Sequence, residues 1–209
     1  MKLDIGPDFI PSKIICVGRN YAEHAAELGN EVPKEPLLFL KAPSAVIRDG
    51  EAIVIPSQSQ QVEHESELAV VIGRDCKGLS DNEDPFDYVR GYSCLNDVTA
   101  RDIQRRDVQF TRGKSFDTFC PIGPVIETDL DVSDVRVTCS VNGQTRQDGR
   151  TSQMVFPVDF LIRYISRQMT LKSGDVIATG TPSGVSKLNP GDMCEVTIEG
   201  IGTLRNVVR

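Results

Sequence analysis

The stretch Val62–Ile72, Val-Glu-His-Glu-Ser-Glu-Leu-Ala-Val-Val-Ile, constrains the fold more than any other part of the chain. Its first half alternates strictly and its second half is an unbroken apolar run. That pattern predicts a strand whose near end emerges at a wet edge and whose far end is buried on both faces. Side chains two apart on a strand share a face, so Glu63, Glu65 and Glu67 point one way and His64 and Ser66 the other. Stacked carboxylates repel one another, and the apolar continuation argues against full solvation. A divalent cation resolves both problems, and oxygen-only ligands favour Mg²⁺, Ca²⁺ or Mn²⁺ over zinc. The competing reading is an exposed, charged strand end that discourages edge pairing.

The two histidines of the chain, His24 and His64, limit where imidazole chemistry can occur. Ile14–Gly18 reads as a short buried strand, followed by a brief helix over Tyr21–Leu28 with Asn20 as its cap and Gly29 closing it. On that helix His24 and Glu27, three apart, share a face. They are either a solvated surface pair or a working one. Glu31–Pro36 is a polar loop with two prolines, and it reads as a mobile flap over whatever lies beneath.

Leu37–Leu40, Ala52–Ile55 and Tyr88–Leu95 are expected strands. Val98–Asp107 has a helical composition, which makes Asp97 either its N-cap or a third carboxylate beside the glutamates. Arg101 and Gln104 share one face of that helix, where they can look at a bound anion. Thr111-Arg-Gly-Lys-Ser115 is not a phosphate loop, because Val108 stands where the first glycine is needed. Lys114 is expected in a glycine-punctuated loop, available to a site.

Further on, Cys120–Ile126 and Arg136–Val141 read as strands. Asn142-Gly143 is a strong hairpin signal, with Gln144–Gln147 returning. Pro157–Met169 is the clearest helix, its Val158, Leu161, Ile162, Ile165 and Met169 forming a core-facing stripe. Asp175–Thr179 is a strand leading into Gly180-Thr-Pro-Ser-Gly184. Met193–Glu199 and Thr203–Val208 form a last hairpin. Many short strands with three helices and no linker or repeat give one β-rich α+β domain spanning residues 1–209.

Composition narrows the partners. The net charge is -7 with no Lys/Arg run longer than two, so a phosphate-tracking surface for nucleic acid is not expected. No run of 18 apolar residues and no apolar core near Met1 point away from a membrane span or signal peptide, and toward the cytoplasm. The six cysteines are scattered singly, which predicts buried thiols rather than a zinc site or disulfide framework.

Six stretches, taken together and in order, resemble the fumarylacetoacetate hydrolase family in its small single-domain branch, the acylpyruvate hydrolases and oxaloacetate-acting enzymes. They are Gly18-Arg-Asn-Tyr-Ala-Glu-His24, Phe39-Leu-Lys-Ala-Pro43, His64-Glu-Ser-Glu-Leu68, Asn96-Asp-Val-Thr-Ala-Arg-Asp102, Gly113-Lys-Ser-Phe116 and Thr179-Gly-Thr-Pro-Ser-Gly184. The resemblance implies a β-sandwich roll with a few short helices, usually as a homodimer. It implies Mg²⁺ or Mn²⁺ held by Glu65, Glu67 and Asp97, with Glu63 left out. It further implies a catalytic pair His24 and Glu27, a catalytic Lys114, and substrate contacts from Arg19, Arg101, Gln104 and Thr181.

On this basis the leading expectation is metal-dependent hydrolysis of a C–C bond in a small 3-acylpyruvate, giving pyruvate and a carboxylate. The alternatives are oxaloacetate decarboxylation or keto–enol exchange, isomerisation of 2-hydroxyhepta-2,4-diene-1,7-dioate type, and a module that only binds metal and dicarboxylate.

Overall fold

The structure, a computed structural model, describes residues 1–6 and 8–209. Its larger sheet runs Lys2–Asp4, Cys120–Glu127, Val89–Asn96, Ser66–Ile72, Val176–Ala178, Ile14–Gly18, Leu37–Lys41, with Val46–Ile47 alongside Cys120–Glu127. Most neighbours are antiparallel. The pair Val176–Ala178 with Ile14–Gly18 is parallel, as is Val46–Ile47 with Cys120–Glu127. A second, antiparallel sheet is ordered Gln144–Arg150, Arg136–Val141, Met193–Ile198, Gly202–Val207.

The two sheets face each other, and the core is built from both. The Cys94 thiol contacts the Gly202 carbonyl, and the Asn96 amide reaches the Cys194 sulfur, each at 3.4 Å. Leu68, Leu95, Val137, Val196 and Leu204 fill the interior around them. The arrangement is the strand-rich α+β roll expected from the sequence. All six cysteines are buried free thiols.

Every residue of Ser66–Ile72 is buried, as an apolar run inside a sheet requires. The acidic half differs from expectation. The stretch is not one continuous strand: Val62–Glu63 pairs with Thr99–Ala100, and a second strand begins at Ser66. The neighbouring strand breaks at the same level, between Asn96 and Thr99. At the break the Asp97 N–H donates to the Glu65 carbonyl (2.9 Å), and the Asn96 side chain accepts from the Glu65 N–H (3.0 Å). The two adjacent segments break together, which keeps Glu65 and Asp97 side by side.

Other boundaries also shift. The first helix is Ala22–Glu27, and Asn20 does not cap it. The Asn20 side chain is buried instead, donating to the carbonyls of Phe156 (3.0 Å) and Thr179 (2.7 Å) and accepting from the Phe156 N–H (2.8 Å). Asp97 caps nothing, because Thr99–Ala100 is drawn into a strand pair and the helix starts only at Arg101, running Arg101–Arg106. Lys114 lies in a one-turn helix, Thr111–Lys114, rather than a loop. Gly113 permits that turn to pack on the previous helix, since a Cβ there would sit 3.0 Å from the Gln104 nitrogen. Ala52–Ile55 contributes only an isolated bridge, Ile53 to Val208.

The helix Val158–Gln168 buries Val158, Leu161, Ile162 and Ile165 as its 3.6-residue spacing requires. No helix among the described residues is long and apolar enough to cross a membrane.

Candidate metal centre and active site

The break in the acidic strand, the helix Arg101–Arg106, the turn at Lys114 and the loop after Ala178 all open into one cavity of about 480 Å³. Every residue singled out from the sequence lines it: Arg19, His24, Glu27, Glu65, Glu67, Asp97, Arg101, Gln104, Lys114 and Thr181. Glu65, Glu67 and Asp97 are buried at its floor, with carboxylate oxygens within 4.8 Å of one another.

Buried carboxylates require compensation, and most of them have it. The Arg101 guanidinium donates to Glu63 through Nε (2.7 Å) and to Glu65 through a terminal nitrogen. Its remaining terminal nitrogen donates to Gln104 (2.5 Å). Lys114 donates to Glu65 (2.8 Å) and to Asp97 (2.6 Å). Lys41 donates to the other oxygen of Asp97 (2.6 Å) and to the Val98 carbonyl (3.1 Å).

Glu67 is the exception. It accepts the Gly180 N–H (2.7 Å) and has no cationic partner among the described residues. Burial, and then the charges of Asp97 and Glu65, push its carboxyl well above the usual range. At Glu65 burial also acts upward, but Lys114 and Arg101 outweigh it and hold that carboxyl well below the usual range. Burial alone would lower the Lys114 ammonium, yet Asp97 and Glu65 lift it.

This floor fits a hard divalent cation. Three convergent oxygen donors match what Mg²⁺ or Mn²⁺ takes, and one of them, Glu67, has no cationic side chain among the described residues to offset the charge it would carry as a ligand. Glu63 stands apart, tied to Arg101 and to Gln61 (2.5 Å).

On the wall above, His24 is buried on the first helix, with Nδ1 facing a Glu27 carboxylate oxygen at 3.4 Å. Burial lowers the pKa of His24 below its ordinary value, against the pull of Glu65, so the imidazole is neutral at neutral pH. Both Glu27 oxygens accept the Gly184 N–H at 3.1 Å. That contact depends on the loop Gly180–Gly184 lying close to the strand Gln144–Arg150. Gly184 has φ +98°, and a Cβ there would fall 2.0 Å from the Arg146 carbonyl oxygen, so no other residue fits.

Two participants escaped the sequence reading. Lys41, within Phe39-Leu-Lys-Ala-Pro43, had no expected role; its signal was a lone lysine ending an apolar strand, Leu37–Lys41. Gln147 is fully buried. Its Nε2 donates to the Thr181 hydroxyl and the Pro182 carbonyl, both at 2.7 Å. Its Oε1 faces His64 Nδ1 (2.9 Å) and accepts the Ser66 N–H (3.0 Å). Because Pro182 O only accepts, the amide orientation is fixed, and His64 must donate from Nδ1 and accept from Ser186 at Nε2 (2.8 Å).

Two residues expected at the substrate are therefore already engaged. The Thr181 hydroxyl donates to the Ser66 carbonyl (2.8 Å), and Arg101 is committed to carboxylates. The loop over residues 31–36 has no regular secondary structure, and Glu35 reaches Tyr164 on the long helix at 3.5 Å.

A family model described as fumarylacetoacetate (FAA) hydrolase C-terminal matches residues 13–209. The chain is 47% identical over 198 residues to the mitochondrial oxaloacetate decarboxylase of Dictyostelium discoideum, covering 91% of this chain and 90% of that protein. It is 45% identical over 212 residues to the oxaloacetate tautomerase YisK of Bacillus subtilis, covering 95% and 70% respectively. Among solved structures, the 5-carboxymethyl-2-hydroxymuconate delta-isomerase from Mycobacterium smegmatis superimposes with a TM-score of 0.89 at 49% identity, covering 95% of this chain and 79% of that one.

Proposed function

The chain belongs to the fumarylacetoacetate hydrolase family, and on that premise we propose that it is a divalent-metal-dependent enzyme acting on small 2-oxoacids, with oxaloacetate as substrate for decarboxylation or keto–enol exchange. One observation carries the reading: a floor of three buried carboxylates, one of them uncompensated, faces a neutral histidine held by a glutamate across the same cavity. The two relatives named for oxaloacetate put that substrate ahead of the acylpyruvate first expected.

Glu65, Glu67 and Asp97 would hold Mg²⁺ or Mn²⁺. The ion, when bound, supplies a Lewis acid for the negative charge that develops as the bond beside the 2-oxo group breaks or its proton leaves. Lys114 adds fixed positive charge at the same floor, where low dielectric strengthens it. Arg19 and Gln104 hold the substrate, and Thr181 shapes the wall. His24, with Nδ1 turned to Glu27, has Nε2 left to move a proton. A homodimer goes with this reading, and sedimentation velocity tests it.

A second reading is favoured by the dyad itself. His24 with Glu27 suits activation of water, which hydrolysis of a 3-acylpyruvate to pyruvate and a carboxylate needs and decarboxylation does not. Turnover of oxaloacetate and acetylpyruvate, each with and without Mg²⁺, decides between them. Activity on either that is unaffected by chelation overturns the metal reading. Tight Mg²⁺ binding without turnover of either leaves a binding module.

A further inference from the structure

Most of the charge lining the cavity is committed. Arg101 and Lys114 are paired with carboxylates at the floor. Asp107 is gripped twice by Arg112, at 2.8 and 2.6 Å. Two guanidinium groups differ: Arg19 and Arg105 make no ion pair among the described residues, and both line the cavity. Arg105 has a single long hydrogen bond, to Gln61 at 3.3 Å, which leaves its other nitrogens open.

The position of Arg105 gives it a direction. It follows Arg101 by four residues in the helix Arg101–Arg106, so the two share a face about 6 Å apart along the axis. Arg101 is anchored at the floor on Glu65 and is 2% exposed. Arg105, one turn further along the helix, lines the same cavity and is exposed. A line from the carboxylate floor along this helix therefore ends on an uncommitted cation.

A 2-oxoacid seated with its carboxylate and oxo oxygen at the floor sends its other end outward. In a four-carbon diacid the two carboxyl carbons are about 4 Å apart, a span that the flexible arginine stem readily completes. We propose that Arg105 is a specificity-determining residue that pairs with a second, distal carboxylate, so that the cavity prefers short 2-oxo dicarboxylates to 2-oxoacids with a neutral acyl tail. The inference rests on the proposed function in taking the floor as the site of the 2-oxoacid head.

The test compares ligands that share a head and differ in the tail. Malate and lactate both present a 2-hydroxy carboxylate, and only malate carries the distal carboxylate. Calorimetric titration of the Mg²⁺-loaded full chain should show wild type preferring malate. Arg105→Gln should reduce the malate-to-lactate preference about tenfold, the worth of one charge-assisted hydrogen bond, and Arg105→Lys should keep most of it. Arg105 is exposed, so these substitutions leave folding intact. No preference in wild type, or an unchanged ratio in Arg105→Gln, overturns the inference. Oxalate, a head without a tail, is titrated into the same samples. If it fails to bind Mg²⁺-loaded wild type, the proposed function falls and this inference with it; if it binds and the ratio is unmoved, only the inference falls.

Discussion

Lys41 Nζ lies 2.6 Å from Asp97 Oδ1, with both side chains fully buried. Lys114 holds the other oxygen of the same carboxylate at 2.6 Å. Asp97 is thus fixed in rotation by two cations, and removing one leaves a buried charge half-compensated. Lys41→Met should destabilise the metal-free protein by about 3–5 kcal/mol, the usual cost of breaking a buried pair from one side. Urea denaturation measures it. A loss below about 1 kcal/mol would mean that water reaches Asp97 and that the lysine is not structural.

Glu67 makes the opposite case. Burial and the neighbouring carboxylates disfavour its charged form and no cation among the described residues offsets them, so Glu67→Gln should leave the metal-free protein as stable as wild type or more so, since the amide oxygen can still accept the Gly180 N–H. The same change should remove the response to metal. Wild type at a hundredfold excess over Kd gains about 2.7 kcal/mol from Mg²⁺ or Mn²⁺. Glu63→Gln, outside the three-carboxylate cluster though joined to it through Arg101, should keep most of that gain. Thermal denaturation with and without metal reads all three proteins, and a gain retained by Glu67→Gln but lost by Glu63→Gln would assign the ligands differently.

A pH dependence of stability arises far from the site, at Asp175. Its buried carboxylate pairs with the Lys13 ammonium and accepts from the Ser12 hydroxyl (2.6 Å) and the N–H groups of Lys13 (3.1 Å) and Lys172 (2.7 Å). Burial acts to raise its pKa, but the Lys13 and Ser12 contacts outweigh it, and the folded value is depressed. The stability this group adds is present in full above the unfolded value of about 4 and drains as the pH falls toward the lower folded value. Asp175→Asn should therefore cost roughly 1.5–3 kcal/mol at pH 7, and the gap from wild type should narrow at pH 3. A gap that stays constant would show that the group titrates alike in both states.

The site was legible in the sequence to the extent that its chemistry sits at short spacings. Glu65 and Glu67, two apart in the acidic stretch, and His24 and Glu27, three apart on a helix, announce their pairing by spacing, although Glu65 sits in the break just before the strand begins at Ser66. Arg101 and Gln104 do the same on the next helix. Lys41 and Gln147 were not legible because long-range packing turns them inward. In the strand Gln144–Arg150 a register shift opposite Cys139 and Ser140 leaves Arg146 unmatched and rotates Gln147 into the interior. Nothing in Gln-Thr-Arg-Gln announces which residue will be the extra one. The helix expected from Val98 begins three residues late for a related reason: Thr99–Ala100 pairs with Val62–Glu63, and tertiary pairing overrides local propensity.

The dyad and the metal floor should prove separable. His24 and Glu27 lie on the first helix and line the cavity wall, outside the carboxylate cluster. His24→Ala and Glu27→Gln should therefore leave Mg²⁺ affinity nearly unchanged by calorimetry. Hydrolysis of acetylpyruvate should fall roughly 10²–10⁴-fold, the usual worth of one positioned acid–base group, and the double substitution should cost little more than the worse single one, because the two act as a unit. Decarboxylation of oxaloacetate should suffer less, since the charge it develops is met at the floor, where Lys114 stays in place. Equal losses in both reactions would mean that the dyad moves a proton common to them. A loss of Mg²⁺ affinity in His24→Ala would instead make the imidazole a ligand, which its Nδ1 contact with Glu27 and its place on the wall argue against.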